Sequence, residues 1–208
     1  MDWASFLVAF LSGGALVWFG QLGLDRWRRP IMEVSYSPER GSEVQPKFGG
    51  DIYCRLIVKN NGQTTIRDCT GMITRFTRRK EGVTTNANEV IQLRWALSHE
   101  DIRDIPRGAY FHLDVVVRTF LGGLPALAVC TNRLPTTGQA EVLGGDGAYE
   151  IDILIAADNS PPVKCTLLLD IDYSVPNKLF KAKLKERAEL PWPFGWMRKR
   201  LAPAETGL

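Results

Sequence analysis

The hydrophobic pattern of the chain opens with 22 consecutive residues, 3–24, that include no charged side chain. At 1.5 Å per helical residue this run reaches about 33 Å, enough to cross a bilayer core of about 30 Å. It ends abruptly at Asp25-Arg26-Trp27-Arg28-Arg29-Pro30. The pattern therefore predicts a transmembrane α-helix over residues 3–24 and a basic juxtamembrane linker over residues 25–30.

From residue 31 to about residue 176, apolar and polar side chains alternate with the two-residue period of half-buried strands. The clearest case is 52–59, in which Ile52, Cys54, Leu56 and Val58 share one face. The other predicted strands are 31–37, 66–76, 89–97, 109–120, 127–131, 149–156 and 163–173.

Two of these strands carry detailed predictions about which side chains face the core. In 89–97 the inward set is Ile91, Leu93, Trp95 and Leu97. In 109–120 the inward set is Phe111, Leu113, Val115 and Val117, opposite His112, Asp114 and Arg118. Within 66–76, Gly71 is expected to mark a β-bulge, since glycine weakens a regular strand.

Seven or eight strands joined by Gly/Pro/Asn-rich turns, with no amphipathic helix between them, are typical of an antiparallel β-sandwich. Parallel strands would need crossover connections of about a dozen residues or more, and the sequence shows none. Residues 31–176 are long enough to bury one core without disulfide or metal support. The predicted fold is therefore all-β, an antiparallel immunoglobulin-like sandwich preceded by one N-terminal transmembrane helix.

Charge decides the orientation of the predicted span. Its N-terminal side offers only Asp2 and the α-amino group, whereas three arginines follow its C-terminal side. Because basic residues near a span stay cytoplasmic, residues 30–208 are expected in the cytosol and the N-terminus outside the inner (cell) membrane. The residues expected to anchor and orient the span are Trp3, Trp18, Arg26, Trp27, Arg28 and Arg29.

A cleaved signal peptide is the alternative interpretation of the same run. It would need a basic start, a shorter apolar stretch and a small-residue cleavage site, but the start is acidic and the small cluster 12–14 lies within the run. Ser5, Ala9 and Gly13 share one helical face, where small side chains let a second helix approach closely. Homo-oligomerisation through this face is therefore a hypothesis.

The stretch 55–69 contains the turn Asn60-Asn61-Gly62 between two strands and resembles the strand–turn–strand of bacterial immunoglobulin-like domains of the CARDB type. Residues 156–162 and the strand that follows are similar to the closing hairpin of such domains. The whole plan resembles small prokaryotic membrane proteins with one N-terminal span and such a domain, which opens near an Arg-Pro-x-x-x-Val segment, here 29–34. The resemblance covers about residues 30–176 and implies a binding or scaffolding role without catalytic residues.

No constellation of side chains predicts catalysis or a bound cofactor or metal. The four cysteines include no Cys-x-x-Cys pair, so a structural zinc site is not expected. Cys54 and Cys165 lie on apolar strand faces and are expected to be free thiols in the reducing cytosol, although an inter-sheet disulfide is the alternative in an oxidising compartment. His112 and Asp114 lack a nucleophile motif, and a solvated strand-face histidine is the favoured interpretation.

The carboxylates Glu150, Asp152, Asp170 and Asp172 could form a calcium site, but a solvated sheet face balanced by lysine and arginine is the favoured interpretation. The long connection 133–148 is a candidate recognition loop. The overall charge is close to balance, with 26 Lys and Arg, 23 Asp and Glu, and a net charge of +3. This balance argues against nucleic acid as the partner.

Residues 177–208 form a basic, aromatic tail with two open interpretations for 177–190. A helix would align Phe180, Leu184 and Ala188, whereas a lysine-rich edge strand would turn Phe180, Ala182 and Leu184 inward. Beyond it, tryptophans beside cations suit the anionic cytoplasmic leaflet, and a tail that is disordered or packed on the domain is the alternative. The candidate membrane-surface residues are Trp192, Trp196, Arg198, Lys199 and Arg200.

These features favour a non-enzymatic, single-pass membrane protein whose cytosolic sandwich binds a protein or a small ligand. One alternative is a membrane effector, in which ligand-driven oligomerisation of the span perturbs the bilayer. Another is an envelope-facing adhesion or assembly domain with an oxidised Cys54–Cys165 pair. The expected partners are the lipid bilayer, an unidentified protein or small ligand, and a second copy of the span.

Overall fold

A computed structural model describes residues 21, 24, 28–44, 51–80, 83–88, 90–98, 100–121, 124–131, 146–172 and 181–186. Within these residues the regular secondary structure is almost entirely β, apart from a 3-10 helix over Pro38–Arg40 and helical backbone at residues 21, 24 and 28. The strands are β1 (Met32–Ser35), β2 (Glu43–Val44), β3 (Ile52–Asn60), β4 (Ile66–Lys80), β5 (Val83–Ala87), β6 (Ile91–Gln92), β7 (Ile102–Ile105), β8 (Tyr110–Leu121), β9 (Leu124–Val129), β10 (Gly147–Ala157), β11 (Ser160–Ile171) and β12 (Lys181–Glu186).

The described strands form two antiparallel sheets. The first has the order β1-β3-β8-β9, with β2 beside β3, and the second has the order β12-β11-β10-β4-β5, with β6 and β7 also paired to β4. One buried core contains side chains of both sheets, including Leu56 and Leu113 of the first and Ile73, Ile151 and Leu167 of the second. The prediction of an all-β, antiparallel fold is therefore confirmed.

The two sheets approach closely at Gly71. A Cβ added there would lie 2.3 Å from Leu113 Cδ2 in the opposite sheet, so the absence of a side chain makes the contact possible. The expected bulge at Gly71 is wrong, because Gly71 pairs in register with Ile155. In the pairing with β10 the register shift falls at Thr74, between the pairs of Ile153 with Ile73 and of Asp152 with Arg75. In the pairing with β7 a second shift falls between Ile66 and Cys69.

Residues 91–96 cross from one sheet to the other. β6 pairs with β4, and Trp95 then forms a bridge with Leu113 of β8. The indole of Trp95 is fully buried and donates a hydrogen bond to the Cys69 carbonyl at 3.2 Å. The inward position of Trp95 is therefore confirmed, but that of Leu97 is wrong: its side chain is 99% exposed, and its φ of 62° belongs to a turn.

A β-bulge in β8 changes which side chains face the core. The pairing with β3 skips Val115, so that Asp114 lies opposite Arg55 while Val116 lies opposite Cys54. Beyond this extra residue the alternation is reversed, and Arg118 is buried at 7% exposure. The prediction that Arg118 lies on the polar face is therefore wrong, because a period-two pattern cannot follow the chain across a bulge.

The second sheet extends into the predicted tail segment. β12 pairs with β11 from Asp170–Lys181 to Cys165–Glu186 and is an edge strand of the sheet. Ala182 and Leu184 pack against the core, whereas Lys181, Lys183 and Lys185 are exposed. Of the two interpretations of 177–190, the edge strand is therefore confirmed for 181–186.

The predicted span lies outside the described residues except for Gln21 and Leu24. Both of these residues, and Arg28 after them, have helical backbone. In the described part of the chain, no helix has the length and apolar character needed to cross a membrane.

Candidate functional site

The bulge in β8 creates a buried cluster of charges. Asp114, whose side chain is 4% exposed, accepts a hydrogen bond from Arg55 Nε to its Oδ1 at 2.6 Å. Arg94 Nε lies 3.8 Å from Oδ2 of the same carboxylate. Arg94 reaches this position because its backbone carbonyl accepts a hydrogen bond from the Asp114 N–H. The guanidinium carbon of Arg55 lies 5.1 Å from the centre of the Tyr53 ring. The cluster therefore ties β3, β8 and the crossing segment 91–96 together.

Electrostatically, this cluster is arranged to hold the fold. Burial raises the pKa of Asp114, and the guanidinium of Arg55, followed by that of Arg94, opposes the shift without reversing it. Both carboxylate oxygens face arginine nitrogens, so the charge is compensated within the protein. An arrangement of this kind orders a bulge and supplies no group that is poised to attack a substrate.

His112 lies on the outer face of β8, as the sequence predicts for a polar strand position. Its Nε2 is 3.0 Å from the Arg40 carbonyl, and its ring meets that of Tyr110 edge-on at 5.7 Å. A Cβ at Gly41 would come within 3.4 Å of the same Nε2. The imidazole therefore packs beneath the 3-10 turn, and these contacts, with a backbone carbonyl and a tyrosine ring, are not those of a hydrolytic triad.

All four cysteines are buried and free of disulfide bonds. Burial raises the pKa of the Cys69 thiol to about 12 and also raises the pKa of Cys54 and Cys130. Thiols of this kind are protonated at neutral pH and are inert as nucleophiles. No disulfide joins Cys54 and Cys165, as the sequence predicts for a reduced pair and contrary to what the adhesion alternative requires.

The carboxylates on the outer face of the second sheet are paired with arginines. Arg75 Nε is 2.9 Å from Asp152 Oδ2, although its N–H is not aligned for a hydrogen bond, and Arg75 and Arg79 lie 3.6 and 3.7 Å from Glu150. The Thr166 hydroxyl donates to Asp152 Oδ1 at 2.7 Å. Arginines therefore balance Glu150 and Asp152 as expected, but Asp152 is 6% exposed and so is buried, not solvated. The described residues include no group of three or more His, Cys, Asp and Glu arranged to hold a metal ion.

Arg78 holds the described end of the candidate recognition loop. Its Nε and Nη2 donate to the Asp146 carbonyl at 3.2 and 2.8 Å, and its guanidinium carbon lies 5.8 Å from the Tyr149 ring centre. Residues 133–145 of the loop lie outside the described residues. The basic hairpin of β4 and β5 is therefore joined to the point where this loop enters β10.

The juxtamembrane linker is bound by the connection between β3 and β4. The Thr64 hydroxyl donates to the Arg28 carbonyl at 2.8 Å, and the Asn61 N–H donates to the Ile31 carbonyl at 2.8 Å. At Gly62 an added Cβ would lie 2.4 to 2.6 Å from backbone atoms of residues 29–31, so only glycine fits. These contacts, between residues 61–64 and residues 28–31, are called the linker clamp below.

Asn60 fixes the clamp from inside the sandwich. Its Oδ1 accepts the Gly62 N–H at 2.9 Å, and its Nδ2 donates to the carbonyls of Thr64 and Ile105 at 2.8 and 2.9 Å. The side chain is fully buried with all of these bonds made. The sequence predicts only a turn at Asn60-Asn61-Gly62. It does not predict that this turn binds the linker, because residues 28–31 come close to it only in the folded chain.

The remaining predicted site residues divide into exposed and undescribed positions. Arg28 and Arg29 are exposed beside the buried Pro30. The other anchor residues, the proposed helix-contact face and the tail residues lie outside the described part of the chain; they are Trp3, Trp18, Arg26, Trp27, Ser5, Ala9, Gly13, Trp192, Trp196, Arg198, Lys199 and Arg200. Their roles stay predictions.

The sequence matches no protein-family model, and no curated protein is significantly similar to it. The resemblance to CARDB-type domains therefore stays a prediction. The functional proposal rests on the fold and on the residues of this chain.

Proposed function

We propose that this protein is a single-pass inner-membrane protein whose β-sandwich, of the immunoglobulin-like type, is a non-enzymatic binding or scaffolding module in the cytosol. The observation that carries the proposal is the linker clamp. The segment that leaves the predicted span is bonded to the sandwich at Arg28 and Ile31 and leads directly into β1. A span joined in this way fixes the domain at the membrane and leaves its other surfaces accessible.

The polar chemistry of the described sandwich supports a binding role over catalysis. The charged cluster at Asp114, the carboxylates at Glu150 and Asp152 and the imidazole of His112 are each engaged with protein partners. The surface best placed for a partner is the end of the sandwich away from the linker, where Arg78 donates hydrogen bonds to the Asp146 carbonyl. The partner is a protein or a small ligand.

The direction of β12 supports contact between the C-terminal tail and the membrane. β12 runs from Lys181, opposite Asp170, to Glu186, opposite Cys165, and so approaches the end of the sandwich where the linker enters. The described chain therefore ends, at residue 186, on a strand that points toward the proposed membrane side. Replacing Trp192 and Trp196 by Phe is expected to reduce the quenching of protein fluorescence by brominated lipids, and unchanged quenching would count against a membrane-bound tail.

Alkaline extraction of membranes tests the anchor. The full chain is expected to stay in the membrane pellet, whereas Leu11→Arg, which places a charge inside the predicted span at a cost of about 2.5–3.5 kcal/mol, shifts it toward the soluble fraction. Leu11→Ala is the matched control and keeps the chain in the pellet. Full extraction of the unaltered chain would contradict the proposed anchor.

A further inference from the structure

The end of the sandwich at which the linker enters is formed by three connections. These are residues 61–65 between β3 and β4, 106–109 between β7 and β8, and 158–159 between β10 and β11. The Asn159 side chain joins two of them, because its Nδ2 donates to the Thr65 carbonyl and its Oδ1 accepts the Arg67 N–H, each at 2.9 Å. Asn60 joins the third, since its backbone carbonyl accepts the Gly108 N–H at 3.0 Å. We call this surface the linker end.

The length of chain between the predicted span and the clamp is short. Residues 24 and 28 are four peptide units apart, which limits their separation to about 14 Å even when the chain is fully extended. The headgroup region adds about 5–7 Å on each side of the hydrocarbon core. Because Thr64 is hydrogen-bonded to Arg28, the linker end lies within or directly beyond the headgroup layer whenever residues 3–24 span the bilayer.

The side chains at this end suit contact with lipid headgroups. Arg28, Arg29, Arg67 and Arg107 are exposed there, together with Asp68, Asp104 and Asp158. Arginine presents a planar set of N–H donors that matches phosphate oxygens. Asp104 is engaged with the protein, because its Oδ1 accepts the Asp68 N–H at 2.9 Å.

We propose that the linker end is a lipid-contacting surface, and that the clamp holds the sandwich upright with this end against the phospholipid headgroups and the far end turned to the cytosol. This inference rests on the proposed membrane anchor. It goes beyond that anchor because a span on a flexible linker would let the domain take any orientation. The clamp removes that freedom, since the close approach at Gly62 leaves no space between the connection and the linker.

Two labelling positions distinguish the ends. Arg107 is exposed at the linker end, and Thr84 is exposed on β5 beside Arg79, thirteen residues along β4 from Ile66. At about 3.3 Å per strand residue the two ends are roughly 40 Å apart. The full chain carrying Arg107→Cys or Thr84→Cys is labelled with a fluorophore and placed in phosphatidylethanolamine–phosphatidylglycerol vesicles that contain headgroup-attached quencher. The unsubstituted chain measures any labelling of the buried native thiols.

The expected result is several-fold stronger quenching at position 107 than at position 84. Gly62→Ala forces the linker away from residues 61–64 and is expected to reduce this difference while the chain stays in alkali-washed membranes. The Asn61 amide donates a hydrogen bond to the Glu33 carboxylate. Asn61→Asp replaces this amide with a second carboxylate, which repels Glu33, and is also expected to reduce the difference in quenching. Asn86→Asp, an exposed substitution on β5, is the matched control and leaves the difference unchanged.

Each contrary result has a separate meaning. Equal quenching at both positions in a membrane-inserted chain overturns the lipid-contacting surface and leaves the anchor intact. Loss of the chain from alkali-washed membranes overturns the proposed function itself. A difference that survives both Gly62→Ala and Asn61→Asp overturns the clamp as the cause of the orientation.

Discussion

Asp114 and Asn60 are polar side chains that this fold buries together with their partners. Asp114 is held by Arg55 and Arg94, and Asn60 bonds three backbone groups around the β3–β4 connection. A buried hydrogen bond contributes about 1 kcal/mol, and leaving a buried group unpaired costs about 1–3 kcal/mol. Such residues specify one arrangement of the chain because alternative packings would leave them unpaired.

The first prediction concerns the pH dependence that Asp114 imposes. Burial raises its pKa in the folded protein above the ordinary value of 3.8, so the folded state holds this proton more tightly than the unfolded state. The contribution of Asp114 to stability is therefore greatest below pH 3.8 and is lost as pH rises through the folded-state pKa. Asp114→Asn removes the titration.

Urea unfolding of the detergent-solubilised chain at a series of pH values checks this prediction. The free energy of unfolding of the parent chain minus that of Asp114→Asn should fall as pH rises from 3.8 and then become constant. A difference that rises over the same range would show that the arginines outweigh burial.

Among the elements, β4 and β8 meet where Gly71 faces Leu113. Gly71→Ala is expected to destabilise the fold by about 1–3 kcal/mol, because its Cβ would overlap Leu113 Cδ2. Leu113→Ala alone should cost about 2–5 kcal/mol through the cavity that it leaves. In the double variant the new methyl group occupies part of that cavity, so the combined loss should be smaller than the sum by at least about 0.5 kcal/mol.

Leu167→Ala is the control for this cycle. Leu167 is fully buried on β11, two strands away from β4, so Gly71→Ala and Leu167→Ala should be additive. Additive losses for Gly71→Ala and Leu113→Ala would contradict the close approach of the two sheets at this point.

The lysines of β12 are expected to prevent edge-to-edge association. Lys181, Lys183 and Lys185 are exposed on an edge strand, where charge discourages a second chain from adding to the sheet. Replacing all three by threonine should cause concentration-dependent self-association in detergent, measured by light scattering after size-exclusion chromatography. Replacing all three by glutamate keeps charge at the edge and should match the parent chain; a parent-like threonine variant would refute this role.

Strands in which apolar and polar side chains alternate could be predicted from the sequence. Strands without this alternation, which form only because they pair with a distant part of the chain, could not. β3 and β10 have apolar side chains at every second position, and both were expected within two residues of their bounds. β5 and β7 show no such pattern, because each is held by pairing with β4. Leu97 and Arg118 were misplaced because a turn and a bulge, respectively, interrupt the alternation.

The linker clamp, like β5 and β7, could not be predicted from local sequence. Asn60-Asn61-Gly62 is a turn signal in any sequence. Its contact with residues 28–31 depends on how β1 pairs with β3, from Met32 opposite Asn60 onward. Local sequence could therefore predict the turn but not its partner.

In the whole molecule, the two ends of the sandwich have different tasks in this account. The linker end binds the segment that follows the predicted span, and β12 runs toward this end over Lys181–Glu186. The far end carries the basic β4–β5 hairpin and Asp146, the first described residue after the gap in the connection 133–148. The proposed function requires that one span hold this sandwich on the cytosolic face of the membrane.

A pair of reporters fused after Leu208 in a bacterial host tests that claim most directly. A green fluorescent protein folds and fluoresces in the cytosol, whereas alkaline phosphatase is active only in the periplasm, where its disulfides form. A cytosolic sandwich should give a fluorescent membrane fraction with the first fusion and no phosphatase activity with the second. Active phosphatase, with no fluorescence from the companion fusion, would contradict it.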